Sequence, residues 1–187
     1  MSVFNEVGFL SPIMRGEDGT STKRSPYKIS IMGVFELFGY TEHRKKLLKN
    51  LLEYRKELYK LGIKTGSQWI SGSFISDIES LEKREPADID IVTFYMLPEN
   101  MTQESLFAQS EIFKHDKAKV LYNVDGYFLQ MGIPYNSPEI NQVSYWYSIW
   151  SHSRQRVWKG FVEVELNEVL DNSSDLNKFI CKDLNEQ

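Results

Sequence analysis

The spacing of apolar residues divides the chain, from about residue 30 onward, into helices and strands. Leu47, Leu48, Leu51, Leu52, Tyr54 and Leu58 recur at intervals of three and four, the repeat of one helical face. They predict a helix from about Thr41 to Leu61. Thr41 is a suitable N-cap, Glu42 stands in the first turn, where a negative charge suits the helix dipole, and Gly62 ends the helix. The rest of its surface carries Arg44, Lys45, Lys46, Lys49, Arg55, Lys56 and Lys60. Such a row reads as a solvated side, with an RNA- or partner-binding face as the alternative.

Shorter patterns follow. Gln68-Trp69-Ile70-Ser71 reads as a short strand leading into Gly72-Ser73. Asp88 to Tyr95 alternates and is rich in β-branched residues, so it reads as a strand, broken by Pro98. A helix is expected from about Thr102 to His115, then a strand over 119–131. Ser137-Pro138-Glu139 carries the marks of a helix start: cap, proline, acid in the first turn. That helix holds Tyr145, Trp146, Ile149 and Trp150. Residues 154–160 read as a loop, and 161–166 as a final strand with one wet face. The order predicts one α+β domain with a central mixed sheet flanked by helices. Residues 1–28 read as a flexible N-terminal arm, 29–170 as the domain, and 171–187 as a polar tail with a short helix around Leu176, Phe179 and Ile180.

Composition adds limits. The 187 residues suit one domain able to bury a core unaided. Net charge is −4, which argues against a protein that coats duplex DNA. The single cysteine, Cys181, excludes an intrachain disulfide and points to a reducing, cytoplasmic setting. Met1 to Leu10 shows no secretory signal pattern. No apolar run reaches the roughly 18 residues of a membrane span.

The candidate chemistry centres on Asp88-Ile89-Asp90. A period of two places both carboxylates on one face of a strand. Adjacent acids repel unless a cation lies between them. Mg²⁺ is commonly held by one or two carboxylates together with substrate phosphates. A glycine and a small hydroxyl residue, Gly72-Ser73, end the preceding strand and allow backbone to approach a phosphate closely. A third acid, Asp125, lies in the later strand, on a face shared by residues 121, 123, 125, 127 and 129. Three such acids suit a two-metal displacement at phosphorus. Arg154 and Lys159 are further candidates to neutralise phosphate charge, with surface or structural roles as the alternative. Trp146 and Trp150 read as core rather than base-stacking residues. His152 reads as a helix-end or surface residue. His43 and His115 have no acid or thiol cluster nearby in sequence, so no zinc site is expected.

Gly-Ser after a strand, a spacer, Asp-Ile-Asp, then an acid on a further strand: this pattern resembles the nucleotidyltransferase superfamily of DNA polymerase β. It is most similar to small stand-alone bacterial nucleotidyltransferase-like proteins. Residues 34–61, 69–74, 86–92 and 145–166 carry the resemblance. It implies that Gly72 and Ser73 bind the triphosphate of a nucleoside triphosphate, joined by Arg154 and Lys159. It implies that Asp88 and Asp90 hold two Mg²⁺ ions. Asp125 would hold one of them and orient or deprotonate the attacking hydroxyl. The implied reaction transfers a nucleoside monophosphate to a hydroxyl on RNA, a tRNA end or a protein. Two features depart from the pattern: 14 residues separate Ser73 from Asp88, and Ser71 stands where an acid is expected. The alternative is a catalytically weak binding protein of the same fold, an antitoxin or phage-defence partner. A metal nuclease ranks last, because Glu163-Val164-Glu165 lacks the lysine such a site uses.

Overall fold

A computed structural model describes residues 3–134 and 136–182, the side chains of residues 181 and 182 excepted. In chain order the elements are β1 (Tyr27–Lys28), α1 (Ile31–Phe38), α2 (Glu42–Lys60), β2 (Gly66–Ser71), α3 (Ile78–Glu82), β3 (Ile89–Met96), α4 (Gln103–Phe107), a 3₁₀ turn (Glu111–Phe113), α5 (His115–Tyr122), β4 (Val124–Met131), α6 (Ser137–Trp150), β5 (Val162–Glu165), α7 (Glu168–Asp171) and α8 (Ser174–Lys182). The five strands form one mixed sheet in the order β1-β5-β2-β3-β4. β3 runs antiparallel to β2 and parallel to β4. The architecture is α+β, a mixed sheet with helices on both faces. No helix among the described residues is long and apolar enough to cross a membrane.

Strand periodicity assigns the two faces. Ile70, Ile89, Ile91, Tyr95 and Val124 pack with Leu47, Leu48, Leu51 and Leu58 of α2 in the larger core. The opposite face carries Val92, Phe94 and Leu129, which form a second core with Trp150 of α6 and Phe161. β3 is therefore buried on both sides, which explains its nearly continuous apolar run. Thr41 caps α2 as expected, its side chain accepting from the Arg44 N–H.

Several expectations are corrected. Residues 119–122 belong to α5, not to a strand. Asn123 ends that helix in a left-handed conformation (φ 53°), and β4 starts only at Val124. The helix expected over 102–115 is broken into α4 and the 3₁₀ turn, the latter capped by Ser110. Asn136, not Ser137, is the N-cap residue of α6. Individual contacts cross the expected boundaries near residues 28 and 170. The Gly160 N–H donates to the Leu10 carbonyl at 2.7 Å, the Asp77 N–H donates to the Gly8 carbonyl at 2.9 Å, and β1 pairs with β5. Within residues 11–28 most backbone hydrogen bonds are internal, and the Tyr27 N–H donates to the Phe161 carbonyl at 3.0 Å. At the other end, Asp171 and Leu176 are buried.

The basic surface of α2 is corrected as well. Arg44 and Arg55 are fully buried. Arg44 donates to both carboxylate oxygens of Glu79 and to the carbonyls of Phe74 and Ser76. Arg55 donates to Asp171, Gln68 and the Glu165 carbonyl. Each guanidinium joins α2 to elements distant in sequence, which no helical pattern reveals.

Candidate functional site

The acids gather where three strands meet in register. Ser71 pairs with Asp90, and Asp90 pairs with Asp125, so the three residues form one row across β2, β3 and β4. Asp88 precedes β3 by one residue. Asp90, Asp125 and Tyr127 lie on the sheet face that α6 covers, which follows from a period of two along β3 and β4.

Gly72 continues β2 in a left-handed turn (φ +74°), and a Cβ there would lie 1.6 Å from Asp90 Oδ2. Backbone therefore passes directly against the carboxylate, and only glycine fits. Lys159 enters from the loop before β5. Its ammonium donates to the Gly72 carbonyl at 3.0 Å and to the Ser71 hydroxyl at 3.3 Å. Lys159 is buried, at 4% exposure.

The electrostatics follow from this crowding. Burial, then the neighbouring charges of Asp88 and Asp125, push the Asp90 carboxyl up to about 6. Burial pushes the Lys159 ammonium down to about 8, against the pull of Asp90. On α5, Lys119 Nζ lies 2.7 Å from Asp88 Oδ2 and 3.6 Å from Asp125 Oδ2. One turn earlier, His115 Nδ1 lies 2.9 Å from Asp125 Oδ1. Oδ1 is buried, and no hydrogen bond is formed to it among the described residues. Tyr127, beside Asp125, has its hydroxyl pushed up to about 12 by burial and by that carboxylate.

A cavity of about 840 Å³ opens over this row, within the usual size of small-molecule sites. Its floor holds Gly72, Ser73, Asp88, Asp90, Asp125 and Lys159. One wall comes from the N-terminal segment and α3, with Val7, Phe9, Ile78 and Leu81. The other comes from α6 and the loop after it, with Ile149, Trp150 and Arg154.

The structure brings Gly72, Ser73, Asp88, Asp90, Asp125, Arg154 and Lys159 to one cavity. Arg154 is exposed at its wall, whereas Lys159 is at its floor. Among the described residues no three His, Cys, Asp or Glu side chains stand close enough to enclose a metal ion. The chain's own ammonium groups lie against the acids instead. Trp150 is buried and packs on Phe161, in keeping with a core role. His152 is exposed at the helix end. Cys181 lies outside the described side chains.

Sequence reasoning did not find Lys119 or the walls formed by Val7 and Phe9, and it read His115 as isolated. His115 and Lys119 are four apart, hence on one helical face. That signal is masked because the local pattern reads residue 119 as the start of a strand.

A family model matches residues 3–165, and the chain belongs to that family, described as a family of unknown function (DUF6932). No curated protein and no solved structure matches the chain.

Proposed function

We propose that this member of the DUF6932 family is a Mg²⁺-dependent nucleotidyltransferase with a nucleotidyltransferase-like fold. The single observation that carries the reading is the packing of the Gly72 turn against Asp90, in register with Asp125, at the floor of one cavity. The donor set also fits a hard cation. It is all carboxylate oxygen, and burial together with the neighbouring charges of Asp88 and Asp125 raises the Asp90 carboxyl. Mg²⁺ takes one or two carboxylates and completes its shell with water and substrate phosphates, so Asp88 and Asp90 would hold it. Bound there, Mg²⁺ would supply positive charge to the phosphates in the transition state.

The chain's own residues carry the remaining work. Gly72 and Ser73 present backbone to the triphosphate. Lys159, fixed at the floor, and Arg154, at the wall, offset the charge that builds on the phosphates. Asp125 orients the acceptor hydroxyl for attack. The acceptor oxygen forms a bond to the α-phosphorus, the bond to the bridging oxygen of pyrophosphate breaks, and the acceptor proton passes to solvent or to a carboxylate. Products are the nucleotidylated acceptor and pyrophosphate. The acceptor is a hydroxyl of RNA or protein.

The second reading is a binding protein with weak catalysis. Lys119 at 2.7 Å from Asp88 favours it, because the chain already neutralises part of its acid row.

The deciding experiment offers the protein each α-labelled nucleoside triphosphate, Mg²⁺ and total cell extract, alongside Asp90→Asn. Label on RNA or protein with the wild type alone supports transfer. Equal labelling by the variant, or none by either, overturns it.

A further inference from the structure

The three acids contribute three negative charges, and the chain places two ammonium groups against them. Lys159 faces Asp90 from the strand side, held by Gly72 and Ser71. Lys119 takes a different place, between Asp88 (2.7 Å) and Asp125 (3.6 Å). It reaches there because α5 ends immediately before β4, so its face with His115 and Lys119 looks onto the first acid of that strand. His115 covers the other Asp125 oxygen. Both oxygens of Asp125 therefore face groups from α5. Asp90 receives no ion pair from α5 and opens toward Gly72.

We propose that Lys119 stands as a fixed second cation in the acid row, so that the site binds one divalent ion, at Asp88 and Asp90, rather than two. This rests on the reading of the row as a metal-dependent transfer site. With Lys119 and Lys159 already facing the three carboxylates, one bound divalent ion leaves the row net positive, and a second would be repelled at close range. Asp125 then anchors α5 and the acceptor, and does not ligate an ion. Lys119 is half-exposed at the cavity edge, so its charge can be removed without emptying the core.

Mn²⁺ alone is the probe, titrated into the full chain and followed by the loss of its free electron paramagnetic resonance signal. The variants are Lys119→Met, Lys119→Arg and Asp90→Asn, each checked for folding by circular dichroism. Expected is one bound Mn²⁺ per wild-type chain and per Lys119→Arg chain, two per Lys119→Met chain, and none tightly held by Asp90→Asn. Two ions on the wild type, or a single ion on both the wild type and Lys119→Met, overturns the inference and leaves the transferase reading standing. No ion on a folded wild type overturns the metal site itself, and the inference with it.

Discussion

Two glycines with similar backbone conformations separate strain from crowding. Gly16 (φ +89°) has nothing within 4 Å of a would-be Cβ, while Gly72 (φ +74°) has Asp90 Oδ2 at 1.6 Å. Gly16→Ala should cost only the left-handed penalty, about 1 kcal/mol. Gly72→Ala should cost more, about 3 kcal/mol, and abolish label transfer by displacing Asp90; urea unfolding and the transfer assay check both. Asp90 carries a pH signature. Its folded-state value of about 6 exceeds the ordinary 3.8. The folded chain thus keeps a proton that the unfolded chain has released, and this group makes stability fall as pH rises from about 4 to about 6, then level off. Asp90→Asn should therefore be the more stable protein at pH 7.5, by up to about 3 kcal/mol, with no advantage at pH 3.5. Urea unfolding in EDTA at the two pH values measures this. An inactive variant that is also more stable is what a carboxyl buried among like charges entails.

At the scale of elements, buried ion pairs tie α2 to the rest. Arg55 and Asp171 are almost fully buried, and Tyr59 and Gln68 join their network. Removing one partner leaves an uncompensated buried charge. Arg55→Met and Asp171→Ala should each cost about 3–5 kcal/mol, and the double variant less than their sum, as read from denaturant midpoints. Additive losses would mean that the two side chains do not act as a pair. The long helix α2 was legible because its apolar repeat is regular and its cap is a threonine. The burial of Arg44 and Arg55 was not, because a helical period shows which positions share a face but not what covers the face opposite. The failure over residues 102–122 has a local cause. Ser110 and Asn123 interrupt the helical path, so short helical pieces precede β4 where a longer strand is expected from residue 119.

At the scale of the molecule, the N-terminal segment closes one wall of the cavity. Val7 and Phe9 line it, and Gly8 and Leu10 are hydrogen-bonded to the body. Deleting residues 1–10 should lower the thermal midpoint by roughly 5 °C. It should also weaken nucleoside triphosphate binding about tenfold, or 1.4 kcal/mol, as measured by isothermal titration calorimetry. Unchanged affinity would place the nucleotide against the α6 wall alone.

The sequence by itself determined the α+β class, the long helix α2 and the strand character of β2, β3 and β5. It also set the common facing of Asp90 with its neighbours, because hydrophobic period and strand alternation are local properties. It named Gly72, Ser73, Asp88, Asp90, Asp125, Arg154 and Lys159 as candidates by residue type and spacing. Only the tertiary structure decided which of them meet. The register that sets Ser71, Asp90 and Asp125 in one row, the burial of Lys159, and the approach of His115 and Lys119 to Asp125 depend on pairings between distant segments. Charge and burial at such a site are set by what the fold brings near, and that information is spread over the whole chain.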